Sequence, residues 1–202
     1  MTRPKPGPQV LGVAVRDNAW FKRLRRDLRL APGVPAPDLL KVPAPDAQRI
    51  LRTTVRLVAD IPRHSSPEVV WVLGASELIV HTDRLGLSCL TGQVTITVPV
   101  ACDQMPDGAE IQVPFAVGTE NAPSGLVLAT LTRPAGPAVV VDSWAGSLVA
   151  FAWEALLHLA QQLCAAAGQD GAGRPLVPAY IGASRNVLLV QPMARHAAAG
   201  RP

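Results

Sequence analysis

Between Trp144 and Ala167 the sequence reads WAGSLVAFAWEALLHLAQQLCAAA, with no proline and a single charged side chain, Glu154. Ser147, Glu154, His158 and Gln161 stand at offsets 0, 7, 11 and 14, so a helix would gather them into one narrow stripe and leave nearly all its remaining surface apolar. Such a helix, from 144 to 167, would be about 36 Å long. Two surroundings suit that surface: a lipid bilayer or the centre of a folded body. Glu154, His158, Gln161 and Gln162 crowd its second half, where a bilayer would leave them without water, so the folded body is the better solution. Asp142 or Ser143 is the expected N-cap and Gly168 the expected stop.

A long buried helix needs a sheet to cover it, and the rest of the chain is rich in strand signals. Of the 202 residues 49% are hydrophobic and 17% charged, which suits one domain with its own core. Gly and Pro contribute 16 and 20 residues, a turn-rich composition that favours β structure. The clearest local signal is the hairpin RLGLSCLTGQVTITVPVAC. A two-residue turn at Thr91-Gly92 sets Leu85 against Val98, Leu87 against Ile96 and Cys89 against Val94, with Ser88 facing Thr95 on the other side. VTITVPVAC and AEIQVPFAV repeat the pattern I-x-V-P-x-A, as two adjacent strands would. Their prolines, Pro99 and Pro114, should mark edges or bulges. Further strands are expected in RILRTTVRLVAD, EVVWVLG, SELIVHT, GLVLATLT, PAVVVD, PAYIGA and NVLLVQP. The fold expected is therefore α+β: a bent antiparallel β-sheet of about eight to ten strands packed on one long apolar helix (144–167). The single domain would span 46–196, followed by a disordered tail at 197–202.

The N-terminal part differs in character. Residues 1–30 hold eight Lys and Arg against two Asp, so of the net charge of +4 they carry +6 and the remainder of the chain −2. After a Pro-rich start and the strand-like VLGVAV (10–15), residues 18–30 predict an amphipathic helix. Trp20, Phe21, Leu24 and Leu28 share a sector of about 100°, while Lys22, Arg25, Arg26 and Arg29 lie on the opposite side and Arg23 completes the basic set. Five prolines between 31 and 46 read as a semi-rigid strap. Residues 1–45 thus form a basic arm whose aromatic and leucine face, rimmed by arginines, is the candidate partner-binding surface.

Candidate chemistry within the body is sparse. His81 and Asp83 would project from one strand face together with Glu77, as an acid–base pair or half a metal site; a solvated strand face is the simpler reading. Glu154 and His158, four apart, can touch on the long helix, either opening into a pocket or forming an internal ion pair. Cys89, Cys102 and Cys164 lie at apolar positions and read as small core hydrophobes. The six apolar residues of VLGVAV are too few for a signal-peptide core, so the expected location is the cytoplasm. No motif for metal, phosphate or dinucleotide binding occurs, so no metal and no cofactor is expected.

These features favour a non-enzymatic interaction or assembly protein of a bacterial multi-protein complex, docking through its arm on a protein partner or a sister subunit in a homo-oligomer. The alternative is a small-ligand-binding protein or enzyme with a cleft between the sheet and the long helix, using Glu154 and His158 or His81 and Asp83. A membrane surface is a less favoured partner for the arm. Nucleic acid fits poorly, because the body lacks the basic surface that would continue the contact.

Overall fold

The computed structural model describes residues 39–58, 61, 65–126, 129–170 and 172–194. The arm helix at 18–30, the VLGVAV run and the tail at 197–202 lie outside them. The fold is α+β, with nine strands among the described residues in two antiparallel sheets and one long helix packed on them.

The larger sheet is organised by strand β5 (Gln93–Cys102). One side of β5 pairs along its length with β6 (Met105–Ala116). Its other side takes two strands in succession, β4 (Gly86–Leu90) and then β3 (Ser76–His81). Strand β2 (Glu68–Leu73) lies beyond β3, and the short β7 (Ala129–Thr130) lies beyond β6. The β4–β5 register is the expected one, with Leu87 opposite Ile96, Ser88 opposite Thr95 and Cys89 opposite Val94. Gly92 supplies the positive φ of 74° that the turn demands.

The repeated I-x-V-P-x-A segments are indeed neighbours, with Thr95 opposite Pro114 and Pro99 opposite Glu110. Pro114 offers its carbonyl to Leu131 N at 3.0 Å. Its nitrogen therefore faces the sheet's edge side and costs the β5–β6 ladder nothing. The register shift falls just after Pro99, between Val100 and Cys102.

The second sheet has the order β1 (Leu40–Pro43), β9 (Val187–Ala194), β8 (Leu176–Ser184). Where one bent sheet was expected, six strands and three strands meet at a seam. Gly118 and Gly182 form an isolated parallel bridge, Gly118 N donates to Ile181 O at 3.2 Å, and Ala183 N donates to Gly118 O at 2.9 Å. A side chain on Gly182 would sit 2.8 Å from the Gly118 carbonyl, so glycine is what lets the backbones approach.

Three sequence expectations are corrected. The run RILRTTVRLV of the strand expected in RILRTTVRLVAD is instead most of helix α1 (Ala44–Val58), and the last two residues, 59 and 60, lie outside the described residues. Ala44, Ala47, Leu51, Thr54 and Val55 are buried at helical spacing, and Pro45 is harmless in a first turn whose N–H groups lack intrahelical partners. The helix is fastened to the start of β4: Arg52 Nε donates to Leu85 O at 2.8 Å, and Gln48 Oε1 accepts from Leu87 N at 3.0 Å. PAVVVD is likewise no strand. Its Ala138 opens helix α2 (Ala138–Ala166), with Pro137 at the N-cap in place of Asp142 or Ser143. Thirdly, the end of the Pro-rich strap is structured, because β1 and the first turn of α1 occupy 40–46.

Helix α2 is long and apolar enough to cross a membrane by length and composition. Here it packs against α1, β5, β6, β8 and β9. Val94, Ile96, Val98, Val100, Ile111, Val113 and Phe115 present the inner sheet face to Leu148, Leu156, Leu157 and Leu159, and all belong to one buried cluster. Trp71 of β2 completes it, edge-on to Phe151 with ring centroids 5.4 Å apart and tilted against Trp144 at 6.3 Å.

Candidate docking face

Because side chains alternate along a strand, burying Val94, Ile96, Val98 and Val100 forces Thr95, Thr97, Pro99 and Ala101 onto the opposite, outer face. The pairings extend that face across the sheet. Val70 on β2 lies opposite Ile79 on β3, which lies opposite Ala101 on β5; Val72 lies opposite Glu77, Glu68 opposite His81, and Pro99 opposite Glu110. Val70, Val72 and Ile79 are half-buried and Ala101 is buried, yet none belongs to the core cluster or packs against it. They form a separate apolar patch on the side away from both helices.

Carboxylates border this patch. Glu68, Glu77, Asp107 and Glu110 are all exposed. His81 Nδ1 stands 3.2 Å from Glu68 Oε1. An open hollow of about 470 Å³ is lined by His81, Arg84, Pro99, Ala101, Asp107 and Glu110. A smaller one of about 270 Å³, at the first turns of α2, is lined by Glu77, Asp103, Gln104, Ser143 and Trp144.

The residues singled out from sequence are distributed differently from the expected pairs. Strand β3 ends at His81, and Asp83 sits in the 3₁₀ turn Thr82–Arg84. The two therefore do not share a strand face, and Glu68 is the carboxylate beside His81. Glu154 and His158 do meet, with Oε1 and Nε2 3.6 Å apart, but their side chains are only 9% and 11% exposed. They form the internal pair, and neither lines either hollow. Burial pushes the Cys89 thiol up to about 11 and the Cys164 thiol up to about 12, the opposite of an activated nucleophile. Cys102 is half-buried. Among the described residues no group of three or more His, Cys, Asp or Glu is placed to hold a metal ion. Trp20, Phe21, Lys22, Arg23, Leu24, Arg25, Arg26, Leu28 and Arg29 lie outside the described residues.

Sequence reasoning missed the outer patch, although a signal for it was present. EVVWVL is apolar on both strand faces, the pattern of a strand covered on two sides, and SELIV sets Ile79 between Glu77 and His81 on the same outer face; the solvated face assumed for His81 and Asp83 overlooked it. The chain matches no protein-family model, no curated protein and no solved structure.

Proposed function

We propose that this protein is a non-enzymatic assembly component that docks through its N-terminal arm onto a sister subunit or another protein of a complex. The observation that carries this reading is the point where the arm joins the body. The last strap residues are held as edge strand β1 against β9 and tied across the surface by Lys41 Nζ to Glu120 Oε1 at 2.7 Å. The arm therefore leaves the fold from a fixed place. Its +6 is set apart from a remainder of −2, which suits capture of an acidic surface. The enzymatic alternative is less well supported: of the two pairs it could use, Glu154 and His158 are buried, and Asp83 does not share the strand face of His81.

The test uses the full chain. Trp20→Asp/Leu24→Asp/Leu28→Asp is expected to convert an oligomer into a monomer in light scattering after size exclusion, with an unchanged circular dichroism spectrum. An oligomer unaffected by these substitutions, or a wild-type monomer, overturns the sister-subunit form of the proposal. A truncation should begin before Leu40, since a cut at 46 would remove β1 and the first turn of α1.

A further inference from the structure

We infer that the outer face of the larger sheet is the receptor for the arm's amphipathic helix, residues 18–30, supplied by a second copy of this chain. The inference rests on the arm-docking reading and adds the surface that receives the arm. Three observations point to this occupant. First, Val70, Val72, Ile79 and Ala101 make an apolar patch outside the core, and β2 carries the two-sided apolar sequence of a covered strand. Second, the border is acidic: Glu68, Glu77, Asp107 and Glu110 are exposed, with Arg84 as the cation beside them and His81 Nδ1 set against Glu68. Two such faces brought together would set carboxylate against carboxylate, which disfavours symmetric stacking and favours a basic occupant. The arm segment fits that requirement, with Trp20, Phe21, Leu24 and Leu28 in one sector, Arg25 the opposite-side arginine nearest to it, about 40° past Phe21, and Arg23 about 60° before Trp20.

Third, the dimensions agree. Thirteen helical residues span about 20 Å, and six strand residues such as those of β2 also span about 20 Å. The helix would lie along β2 and β3 with its aromatic face on Val70, Ile79 and Ala101. Arg23 and Arg25 would reach carboxylates on opposite borders, Glu68 on the β2 side and Glu110 with Asp107 on the β6 side, while Glu77 closes the end of the patch beside Val72. The ten residues from Leu30 to Leu40 extend to about 35 Å at most, a tether long enough to reach a neighbouring molecule.

Cysteine cross-linking in the full chain tests the inference. In a Cys102→Ser background, Leu24→Cys is combined with Ile79→Cys, or with Gln169→Cys at the far end of α2 as the control, and treated with a short bis-maleimide. The expected result is a covalent dimer with Ile79→Cys, lost with Gln169→Cys and lost with Ile79→Cys alone. A cross-link confined to the monomer would keep the receptor face but show that the arm folds back on its own body, which overturns the second-copy occupant and the assembly reading together. No cross-link above the control, alongside an oligomer that still depends on the arm, overturns the receptor face and leaves the assembly reading standing. A covalent dimer from Ile79→Cys alone would mean face-to-face stacking and overturn the arm as occupant. As a second readout, Glu68→Lys/Glu110→Lys should weaken arm-dependent association by about fivefold to tenfold, as expected for two rim ion pairs, and Arg23→Glu/Arg25→Glu in the same chain should restore it.

Discussion

Cys89 lies on the inner face of β4 and Cys164 within α2, and burial holds their thiols at about 11 and about 12. At those values almost no thiolate exists near neutral pH, so neither is available to a thiol reagent without unfolding. Cys102 differs because the register shift between Val100 and Cys102 brings its side chain part-way out of the sheet. In the native protein at pH 8 a disulfide reagent is expected to label Cys102 quickly and the other two only after denaturant is added, and Cys102→Ser should remove the fast phase. Fast labelling of two thiols would contradict the placement of Cys89 or Cys164. Residue parity was enough to put Cys89 in the core, but it could not locate the bulge, which depends on how the end of β5 pairs with β6. The same limit applies to Glu154 and His158. Their spacing of four made the contact legible, whereas the burial of the stripe depends on elements remote in sequence.

Among the elements, the β4–β5 hairpin was legible because its turn residues and its alternation agree, and local and tertiary preferences point the same way. In α1 they do not. RTTVRLV alternates polar and apolar like a strand and carries β-branched residues, while the helix it forms is decided by packing against α2 and β4. The two readings assign opposite surroundings to adjacent threonines. A strand here would turn Thr53 to the same side as Leu51, but in the helix Thr53 is exposed and Thr54 is 2% exposed. Thr54→Asp should therefore lower the stability measured by urea unfolding by about 2–4 kcal/mol, through a carboxylate buried without a partner. Thr53→Asp should change it by less than about 0.5 kcal/mol. The reverse order would restore the strand. The same conflict hid the start of α2, where a run of three valines suggests a strand although Val140, Val141 and Trp144 are buried together on the helix.

At the scale of the whole molecule, the two sheets share one core but few backbone contacts, and these converge on the strip where Gly118 meets Gly182. Gly92 N donates to Ala183 O at 3.1 Å and Asn186 N to Cys89 O at 3.0 Å, so the turn ends of both sheets are fastened to the same strip. The arm's root, β1, belongs to the smaller sheet and reaches the larger one through this seam. The seam therefore works beside α1, which follows β1 directly and is fastened to β4, in joining the arm's root to the larger sheet. Gly182→Ala would bring a Cβ to 2.8 Å from the Gly118 carbonyl and 2.9 Å from the Tyr180 ring. The backbone oxygen cannot rotate away as a flexible side chain could, so the sheets must part or the strands must bend, at a cost of about 1–3 kcal/mol. Gly146→Ala provides the opposite case: it lies inside α2 with nothing within 4 Å of the added atom and should stabilise the protein by about 0.5–1 kcal/mol through helix propensity. Thermal unfolding of the two variants beside the wild type measures both effects. If Gly182→Ala unfolds at the wild-type temperature while Gly146→Ala rises, the seam is not a tight junction and the two sheets are joined by the shared core and α1 instead.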